Sequence, residues 1–451
     1  MNRIRKLIAP SESYERLLDN NNEANAGDVD DPSIAEDGGS RSESSFSWLE
    51  YSIFFLQGIA MLWAWNMFLA AAPYFHHRFR SNEWVVKHYQ PSILSVSTVT
   101  NLVSVTTLAK LQKNALYSRR ISLSLLINIV VFSILALSTV AFKGVSVGVY
   151  FAFVLVMVSG ASLATGINQN GVFSYVSGFG RGEYTQAIMA GQGVAGVLPC
   201  IVQIISVLAV PEKRDGVQQE SSKSAFAYFI TSTGVSSLAL ISFLYLDRHR
   251  SRTASKVPDE VDDGIASATA DRKAVGLWTL FKKLRWMALA LFLCFAVTMV
   301  FPVFTAEIES VRSPSERPRL LQQATFIPLA FLFWNAGDLI GRVSVLIPQL
   351  SLVHFPKALF ILAISRLAFI PLYMLCNIRG RGAAVNSDAF YLFVVQLLFG
   401  MTNGYLGSSC MMGAAQWVAV EERQAAGGFM SLMLVAGLTV GSLLSFLVAN
   451  A

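Results

Sequence analysis

Residues 326–342 of the chain read FIPLAFLFWNAGDLIGR, an apolar run in which an acid and a base lie four positions apart. With its flanks this run reaches the length of about 20 residues that a helix needs to cross a bilayer. Inside hydrocarbon each charged side chain costs roughly 2.5–3.5 kcal/mol on insertion scales, so charges kept there are candidates for function. The stretch therefore predicts a membrane-spanning helix with a functional polar face.

The rest of the chain has the same apolar character. Hydrophobic residues make up 53% of the 451 residues, charged residues only 14%, and the mean hydropathy is +0.50. Soluble domains carry about a quarter charged residues. This composition excludes a soluble enzyme, a disordered regulator and a disulfide-stapled secreted domain. The net charge of +6 is spread along the loops, so nucleic acid is not an expected partner.

Eleven apolar segments predict an all-α polytopic membrane protein with eleven transmembrane helices. Each is long enough to span the hydrocarbon core of a bilayer, which is the partner that the composition implies. The segments lie near 48–75, 89–109, 121–141, 148–174, 184–210, 224–246, 286–305, 324–346, 356–377, 388–412 and 425–449.

The polar stretches divide the chain into four regions. Residues 1–47 are rich in acids and serine and are expected to form a disordered tail. The long polar loop 247–285 separates a six-helix bundle, 48–246, from a five-helix bundle, 286–451, which is a recurring plan in transporters. The loop ends in VGLWTLFKKLRW, which predicts either a helix lying in the membrane interface or a cationic anchor for the next span.

Two features of the chain bear on its location. Lys and Arg are more numerous in the tail and the loops on its side than in the opposite loops, which places the N-terminus and the 247–285 loop in the cytosol. The tail contains Tyr14-Glu15-Arg16-Leu17, a pattern that a sorting adaptor would bind, although such short patterns also arise by chance.

The charged residues inside the predicted spans are the first candidates for function. Asp338 and Arg342 lie one helical turn apart on the same face, which Asn335 extends. They form either a structural ion pair between helices or a polar contact for a substrate in a central cavity. Arg366, in LFILAISRLAFIPLY, is weighted towards a structural role, pairing with a carboxylate or with carbonyl groups.

Amide side chains mark several other spans. They are Asn66 in the first, Asn101 in the second, Gln169 in the fourth, Gln192 in the fifth and Asn403 in the tenth. A buried amide without a partner is costly, so each one either bonds between helices or faces a wet path. Because they fall on different spans, a hydrated central cavity explains them better than helix–helix bonding alone.

The fifth span contains GQGVAG, with glycines at Gly191, Gly193 and Gly196, which matches the spacing of a dinucleotide-binding loop. No strand–helix context surrounds it, and it lies inside an apolar run. We therefore expect these glycines to permit close helix packing. The cysteines and histidines show no metal-ligand spacing, so no metal or cofactor is expected.

Over residues 48–449 the chain resembles the equilibrative nucleoside transporter family, and its fungal members in particular. The resemblance rests on GIAMLWAWNMFLAAAPYF, NQNGVFSYVSGFGRGEYTQAIMAGQGVAGV, FAVTMVFPVFTAEI, the 326–342 stretch, SRLAFIPLYMLCNIRGR and LLFGMTNGYLGSSCMM, in this order. One residue departs from the family pattern: Ala64 stands where many members have proline before the Trp-Asn pair, which puts the expected kink in doubt.

The resemblance implies a 6+5 major-facilitator-like arrangement of the helices and no enzymatic chemistry. It implies facilitated diffusion of purine and pyrimidine nucleosides, and of nucleobases as an open question, by alternating access. It also allows a vacuolar or other internal acidic organelle membrane, which we rank above the plasma membrane.

The resemblance also assigns roles to individual side chains. Trp65, with Leu62 and Leu69, would form a wall against the base, and Gln169 would hydrogen-bond to it. Asp338 and Arg342 would take the ribose hydroxyls, with support from Asn335. A ribose suits this pair because its hydroxyls both donate to a carboxylate and accept from a guanidinium.

Two other functions stay open at this point. One is a proton-coupled nucleoside symporter in which Asp338 titrates, although the neighbouring Arg342 favours a permanently ionised carboxylate. The other is a membrane receptor or scaffold without flux, although a receptor has no evident need for polar residues on so many spans. An intramembrane enzyme ranks last, because no nucleophile–base pair is apparent.

Overall fold

The computed structural model describes residues 46–112, 115–142, 144–209, 222–254, 275–313 and 317–449. These residues are almost entirely helical, and one isolated antiparallel β-bridge among them pairs Ile308 with Ile378. The tail up to residue 45, the sorting pattern at Tyr14–Leu17 and the middle of the 247–285 loop lie outside the described residues.

Eleven helices of the described part are long and apolar enough to cross a membrane, which confirms the expected fold class. We call them the first to the eleventh span. They are Trp48–Phe79, Glu83–Lys110, Tyr117–Ala141, Val147–Ser177, Gly182–Ile205, Ser222–Arg252, Leu277–Glu307, Gln323–Ser344, Pro356–Met374, Phe390–Gln416 and Val420–Ser445.

Proline interrupts three of these spans. Pro73, Pro302 and Pro371 each lie two or three residues beyond a break in the helix, because proline lacks an N–H and its ring clashes with the carbonyl four residues earlier. The divided spans consist of Trp48–Ala70 with Ala72–Phe79, Leu277–Thr298 with Val300–Glu307, and Pro356–Ser365 with Phe369–Met374. A short 3-10 turn, Arg366–Ala368, joins the last two helices.

The tenth span changes its helical form instead of breaking. Its first part, Phe390–Leu397, is a π-helix, and an α-helix follows from Leu398 to Gly413. π-helical segments have i→i+5 hydrogen bonds, are rare and frequently occur at functional sites.

The spans form two groups. Within the first six, the first span packs against the fifth and sixth, the third against the fourth and sixth, and the second against the fourth. Within the last five, the seventh packs against the ninth and eleventh and the eighth against the tenth. The groups meet where the fifth span packs against the eighth, and where the second and fourth pack against the eleventh.

Consecutive spans run in opposite directions, so the start of each odd-numbered span and the end of each even-numbered span lie at the same end of the molecule. We call the end that holds Trp48 the tail side and the opposite end the far side. On the tail side, residues 277–285 form the first turns of the helix Leu277–Thr298, with Lys283 paired to Glu422 at 2.6 Å. The sequence left open an in-plane helix or an anchor for the next span, and these residues are continuous with that span.

Candidate functional site

A cavity of about 280 Å³ lies between the two groups, near the middle of the spans. Its volume is close to the lower limit of about 300 Å³ that is common for small-molecule sites. Side chains from the first, second, third, fourth, fifth, seventh, eighth and eleventh spans line it. A site that draws on both groups changes shape when the groups move relative to each other.

The first span supplies an aromatic wall of the cavity. Trp65 lines the cavity and lies nearly parallel to Phe68, with 6.1 Å between ring centroids and 14° between the planes. Leu62 lines the same wall about one turn earlier. An apolar wall with a flat ring suits the face of a planar heterocycle.

Leu69 lies outside this wall. Its side chain is 51% exposed and it is not among the cavity-lining residues, whereas Phe68 is. The family resemblance implied Leu69 as part of the wall. The last turn of the helix tightens near it, since the N–H of Ala71 approaches carbonyls both three and four residues earlier. In the structure Phe68 lines the wall in place of Leu69.

Gln169 of the fourth span presents a free amide to the cavity. Its side chain is only 6% exposed, yet it makes no hydrogen bond to any described residue. Its neighbours on the helix point elsewhere: Asn170 accepts a hydrogen bond from Arg120 at 2.7 Å, and Asn168 is buried away from the cavity. A buried amide with unused donors and acceptors is costly unless a ligand or water satisfies it.

The Asp338–Arg342 pair lies at the cavity surface, with the arginine in front. Arg342 lines the cavity, and its Nε donates to Oδ2 of Asp338 at 2.6 Å. The other carboxylate oxygen accepts from Nδ2 of Asn403 at 2.7 Å. Asp338 itself is not among the lining residues, so it orients the guanidinium from behind.

Arg342 also joins the two groups of spans. Its Nη1 donates to the carbonyl of Met189 at 2.9 Å and to Oε1 of Gln192 at 3.1 Å, both on the fifth span. The amide of Gln192 in turn donates to the sulfur of Met61, which is a weak acceptor. Arg342 therefore both faces the cavity and bridges helices, so the geometry is compatible with both interpretations of the pair.

The remaining asparagines have different surroundings. Asn101 lines the cavity, and its buried Oδ1 has no partner among the described residues. Asn66 bonds between helices, donating to the carbonyl of Ala195 at 2.8 Å. Asn335 lies outside the lining and donates to the carbonyl of Phe331 in its own helix at 2.8 Å.

The glycines of GQGVAG allow the fifth span to pack closely on two others. A Cβ placed on Gly191 would lie 2.0 Å from the carbonyl oxygen of Phe55 in the first span. A Cβ on Gly196 would lie 2.4 Å from Oδ1 of Asn335 in the eighth span, and Gly193 faces the same helix. Helix packing accounts for the motif, in agreement with its apolar context.

Arg366 is fully buried and does not reach the cavity. It donates to the hydroxyl of Thr298 at 2.9 Å, to the hydroxyl of Thr402 at 3.2 Å and to the carbonyl of Phe399 at 3.3 Å. Its partners are thus carbonyls and hydroxyls on neighbouring spans, and no carboxylate of the described residues is paired with it.

Several lining residues gave no usable signal in the sequence. Phe295 and Met299 resemble the apolar residues of any span. The hydroxyl residues are common in spanning helices too, where they often bond to their own backbone. They are Ser97, Thr98, Ser162, Thr165, Thr439 and Ser442.

The His, Cys, Asp and Glu side chains of the described ranges bear on metal binding and thiol reactivity. No group of three or more His, Cys, Asp or Glu side chains there is placed to hold a metal ion. Beyond the ninth span, burial raises the pKa of the Cys376 thiol to about 12, so it is protonated at neutral pH.

Comparisons with known proteins agree with this geometry. A family profile described as "Nucleoside transporter" matches residues 153–450. Nucleoside transporter FUN26 of Saccharomyces cerevisiae is 29% identical over 445 residues, which cover 88% of this chain and 83% of the relative. Equilibrative nucleoside transporter 1 of Mus musculus is 28% identical over 457 residues, 88% of this chain and 95% of the relative.

A solved structure supports the fold. The major facilitator proton:xylose symporter XylE superposes with a TM-score of 0.57 at 10% identity, over 89% of each chain. The expected major-facilitator-like arrangement and the resemblance to the fungal branch are therefore confirmed. The profile spans well over half of the sequence, and the chain belongs to the nucleoside transporter family.

Proposed function

We propose that this nucleoside transporter carries purine and pyrimidine nucleosides by facilitated diffusion, with alternating access to the cavity between its two groups of spans. One observation carries the proposal: an aromatic wall, a free amide and a buried guanidinium converge on one cavity of about 280 Å³. These three surfaces match the three parts of a nucleoside, which are a flat base, its hydrogen-bonding edge and a hydroxylated sugar.

Each part of the substrate has a proposed partner. Trp65, with Leu62, contacts the face of the base, and Gln169 bonds to its edge. Arg342 donates to the ribose hydroxyls, while Asp338 holds the guanidinium and accepts from a hydroxyl when the site contracts. Asn335 acts indirectly, by filling the space between the fifth and eighth spans.

The two groups of spans are proposed to rock about the cavity. On its tail side the cavity is closed by contacts between groups, such as Gln186 Nε2 donating to the carbonyl of Arg342 at 3.4 Å. The fourth and eleventh spans also touch there, since a Cβ on Gly427 would lie 2.3 Å from the carbonyl oxygen of Phe173. The cavity lining continues from this closure towards the far side, along the second and eleventh spans. These contacts support a conformation in which the cavity is closed on the tail side and opens towards the far side.

The chain is a multi-pass membrane protein, and its orientation and membrane are proposals. The distribution of Lys and Arg supports a cytosolic N-terminus. We propose the membrane of an internal acidic organelle, with sorting through Tyr14–Leu17, and the similarity to a yeast transporter is the basis for this choice.

The test is uptake of radiolabelled adenosine and uridine into proteoliposomes of the purified chain, with and without an inward proton gradient. Saturable uptake that ends at equilibrium under both conditions supports the proposal. Accumulation above equilibrium only with the gradient would establish a symporter instead. Substrate binding without flux, in protein whose insertion and folding are verified, would indicate a receptor.

A further inference from the structure

Three of the last five spans lose their regular α-helical form at the same depth. The seventh span breaks between Thr298 and Val300, and the ninth turns to 3-10 geometry at Arg366–Ala368. The tenth passes from a π-helix to an α-helix between Leu397 and Leu398. Such irregularities are where a helix bends, because the ladder of backbone hydrogen bonds is interrupted there.

Arg366 connects all three irregular points. It is itself the first residue of the 3-10 turn, and its Nη2 donates to Thr298, the last residue before the break in the seventh span, at 2.9 Å. Its Nη1 donates to the carbonyl of Phe399, just beyond the π-helix, at 3.3 Å. Its guanidinium lies 4.5 Å from the centre of the Phe399 phenyl ring.

Burying the Arg366 cation inside the membrane costs free energy, which suggests that the residue has a function. Among the residues whose burial is described, the buried charges are Asp338, Arg342 and Arg366, two cations to one anion. Asp338 is already engaged by Arg342, so Arg366 relies on hydroxyls, a carbonyl and the end of the helix Pro356–Ser365, where the helix dipole favours a cation. Intramembrane charges that are this expensive are usually functional.

A continuous chain of hydrogen bonds runs from Arg366 to the cavity. The hydroxyl of Thr298 that accepts from Arg366 has two acceptors for its one proton, Oδ1 of Asn403 at 2.6 Å and the carbonyl of Cys294 in its own helix at 2.8 Å. The chain forms when the proton goes to Asn403, the nearer of the two. The amide of Asn403 donates to Asp338 at 2.7 Å, and Asp338 holds Arg342 at the cavity wall. Among the side-chain hydrogen bonds of the described residues, this route from the arginine at the three bends to the site passes through Thr298.

The parts of these spans beyond the bends form one packed unit on the far side. A separate hydrophobic cluster joins them to the start of the eighth span; it includes Phe301, Phe304, Phe326, Tyr373, Tyr391 and Phe399. Within the unit, the amide of Gln396 donates to Thr305 at 2.9 Å and its oxygen accepts from Tyr373 at 3.1 Å. Arg379 is paired with Glu307 at 2.7 Å. These contacts hold the far-side halves of the seventh, ninth and tenth spans together as one packed unit.

We propose that Arg366 is a positioning residue that couples the nucleoside site to the far-side gate. Contraction of Arg342 and Asp338 around a substrate pulls on Asn403 and Thr298, and Arg366 passes this movement to the three bends at once. The far-side halves of the seventh, ninth and tenth spans then swing as one unit. This inference rests on the proposed function, because it assigns the movement that follows nucleoside binding.

The test compares two isosteric substitutions that each remove one hydroxyl contacting Arg366. Thr298→Val cuts the link between Arg366 and Asn403 but leaves Asn403 bonded to Asp338. Thr402→Val removes a hydroxyl that contacts Arg366 without leading to the site. Each avoids the direct replacement of Arg366, which risks misfolding. We expect Thr298→Val to lower the turnover number for nucleoside uptake about tenfold with KM within twofold of wild type. For Thr402→Val we expect both values within twofold.

A second measurement needs no substrate. Hydrogen–deuterium exchange of the purified protein should rise in Val300–Glu307, Phe369–Met374 and Phe390–Leu397 together in Thr298→Val, and stay at the wild-type level in Thr402→Val. A purely structural role would raise exchange in the seventh span alone, and that result would overturn the proposal. So would a turnover number for Thr298→Val within twofold of wild type. If wild-type protein takes up no nucleoside, the proposed function fails, and the exchange pattern still decides whether Arg366 joins the three bends.

Discussion

Arg342 on the eighth span donates from Nη1 to Oε1 of Gln192 on the fifth span at 3.1 Å, across the line where the two groups of spans meet. The same guanidinium lines the cavity and is held by Asp338. A substrate hydroxyl that accepts from Arg342 therefore competes with a contact that holds the two groups together. Under the proposed function, substrate binding and the movement of the two groups therefore depend on the same side chain.

Asp338→Asn should remove most nucleoside flux. The substitution leaves Arg342 buried without its counter-charge, and breaking a buried pair costs about 3–5 kcal/mol, so we also expect a lower melting temperature. Initial uptake rates per mole of monodisperse protein should fall at least tenfold. The control is Asp388→Asn, which removes a carboxylate bonded to Ser310 on the far side, outside the cavity. Wild-type uptake by correctly inserted Asp338→Asn would refute the assignment.

Gln169→Ala should change the choice of base more than the overall rate. Purines and pyrimidines present different donors and acceptors at their edges, so the loss of one amide affects them unequally. A hydrogen bond contributes roughly 1 kcal/mol, which corresponds to about a fivefold change in the adenosine-to-uridine ratio. Competition uptake measures this ratio. Gln57→Ala, which removes a buried amide bonded to Ala239 outside the cavity lining, should leave it unchanged.

An equal ratio in Gln169→Ala and wild type would show that this amide does not contact the base. A fall in the uptake of both nucleosides by the same factor would point to the same conclusion, because it would mark a general effect on the cavity.

Phe68→Ala and Leu69→Ala should separate the cavity wall from the lipid-facing surface. Removing Phe68 deprives Trp65 of its parallel partner and enlarges the cavity, so KM for adenosine should rise about fivefold or more. Leu69 is half exposed outside the cavity, and its truncation should leave KM within twofold. The measurement is concentration-dependent uptake by both variants at matched protein density. The reverse order of effects would restore Leu69 to the site.

Gly191→Ala should destabilise the transporter, whereas Gly234→Ala should not. The added Cβ at position 191 would meet a backbone carbonyl oxygen at 2.0 Å, and backbone cannot move aside as a side chain does. At Gly234, also inside a span, nothing lies within 4 Å of the added atom. Thermal unfolding in detergent, followed by size-exclusion chromatography, should show a drop of several degrees for Gly191→Ala alone. Equal stability of the two variants would mean that the first and fifth spans pack less closely than the structure has them.

The sequence by itself determined the membrane class and the eleven spans, and it indicated most of the polar candidates for the site. In hydrocarbon every backbone polar group must be satisfied internally, and an apolar run of about 20 residues does this as a helix, so apolar length predicts spans. The cost of buried charge made Asp338, Arg342 and Arg366 visible as candidates in the same way. Gln169 was a candidate because burying an amide within an apolar span costs free energy unless the amide is hydrogen-bonded.

Only the tertiary structure decided which of these side chains meet. The family resemblance implied Leu69 for the cavity wall, but the packed structure has Phe68 there and leaves Leu69 half exposed. Spacing along one helix paired Asp338 with Arg342, yet it did not reveal Gln192 and Asn403, which come from other spans and lie far away in the sequence. It also did not predict that three helix irregularities meet at Arg366. Contacts between spans depend on how whole helices pack, and many helix pairings satisfy the same pattern of apolar residues.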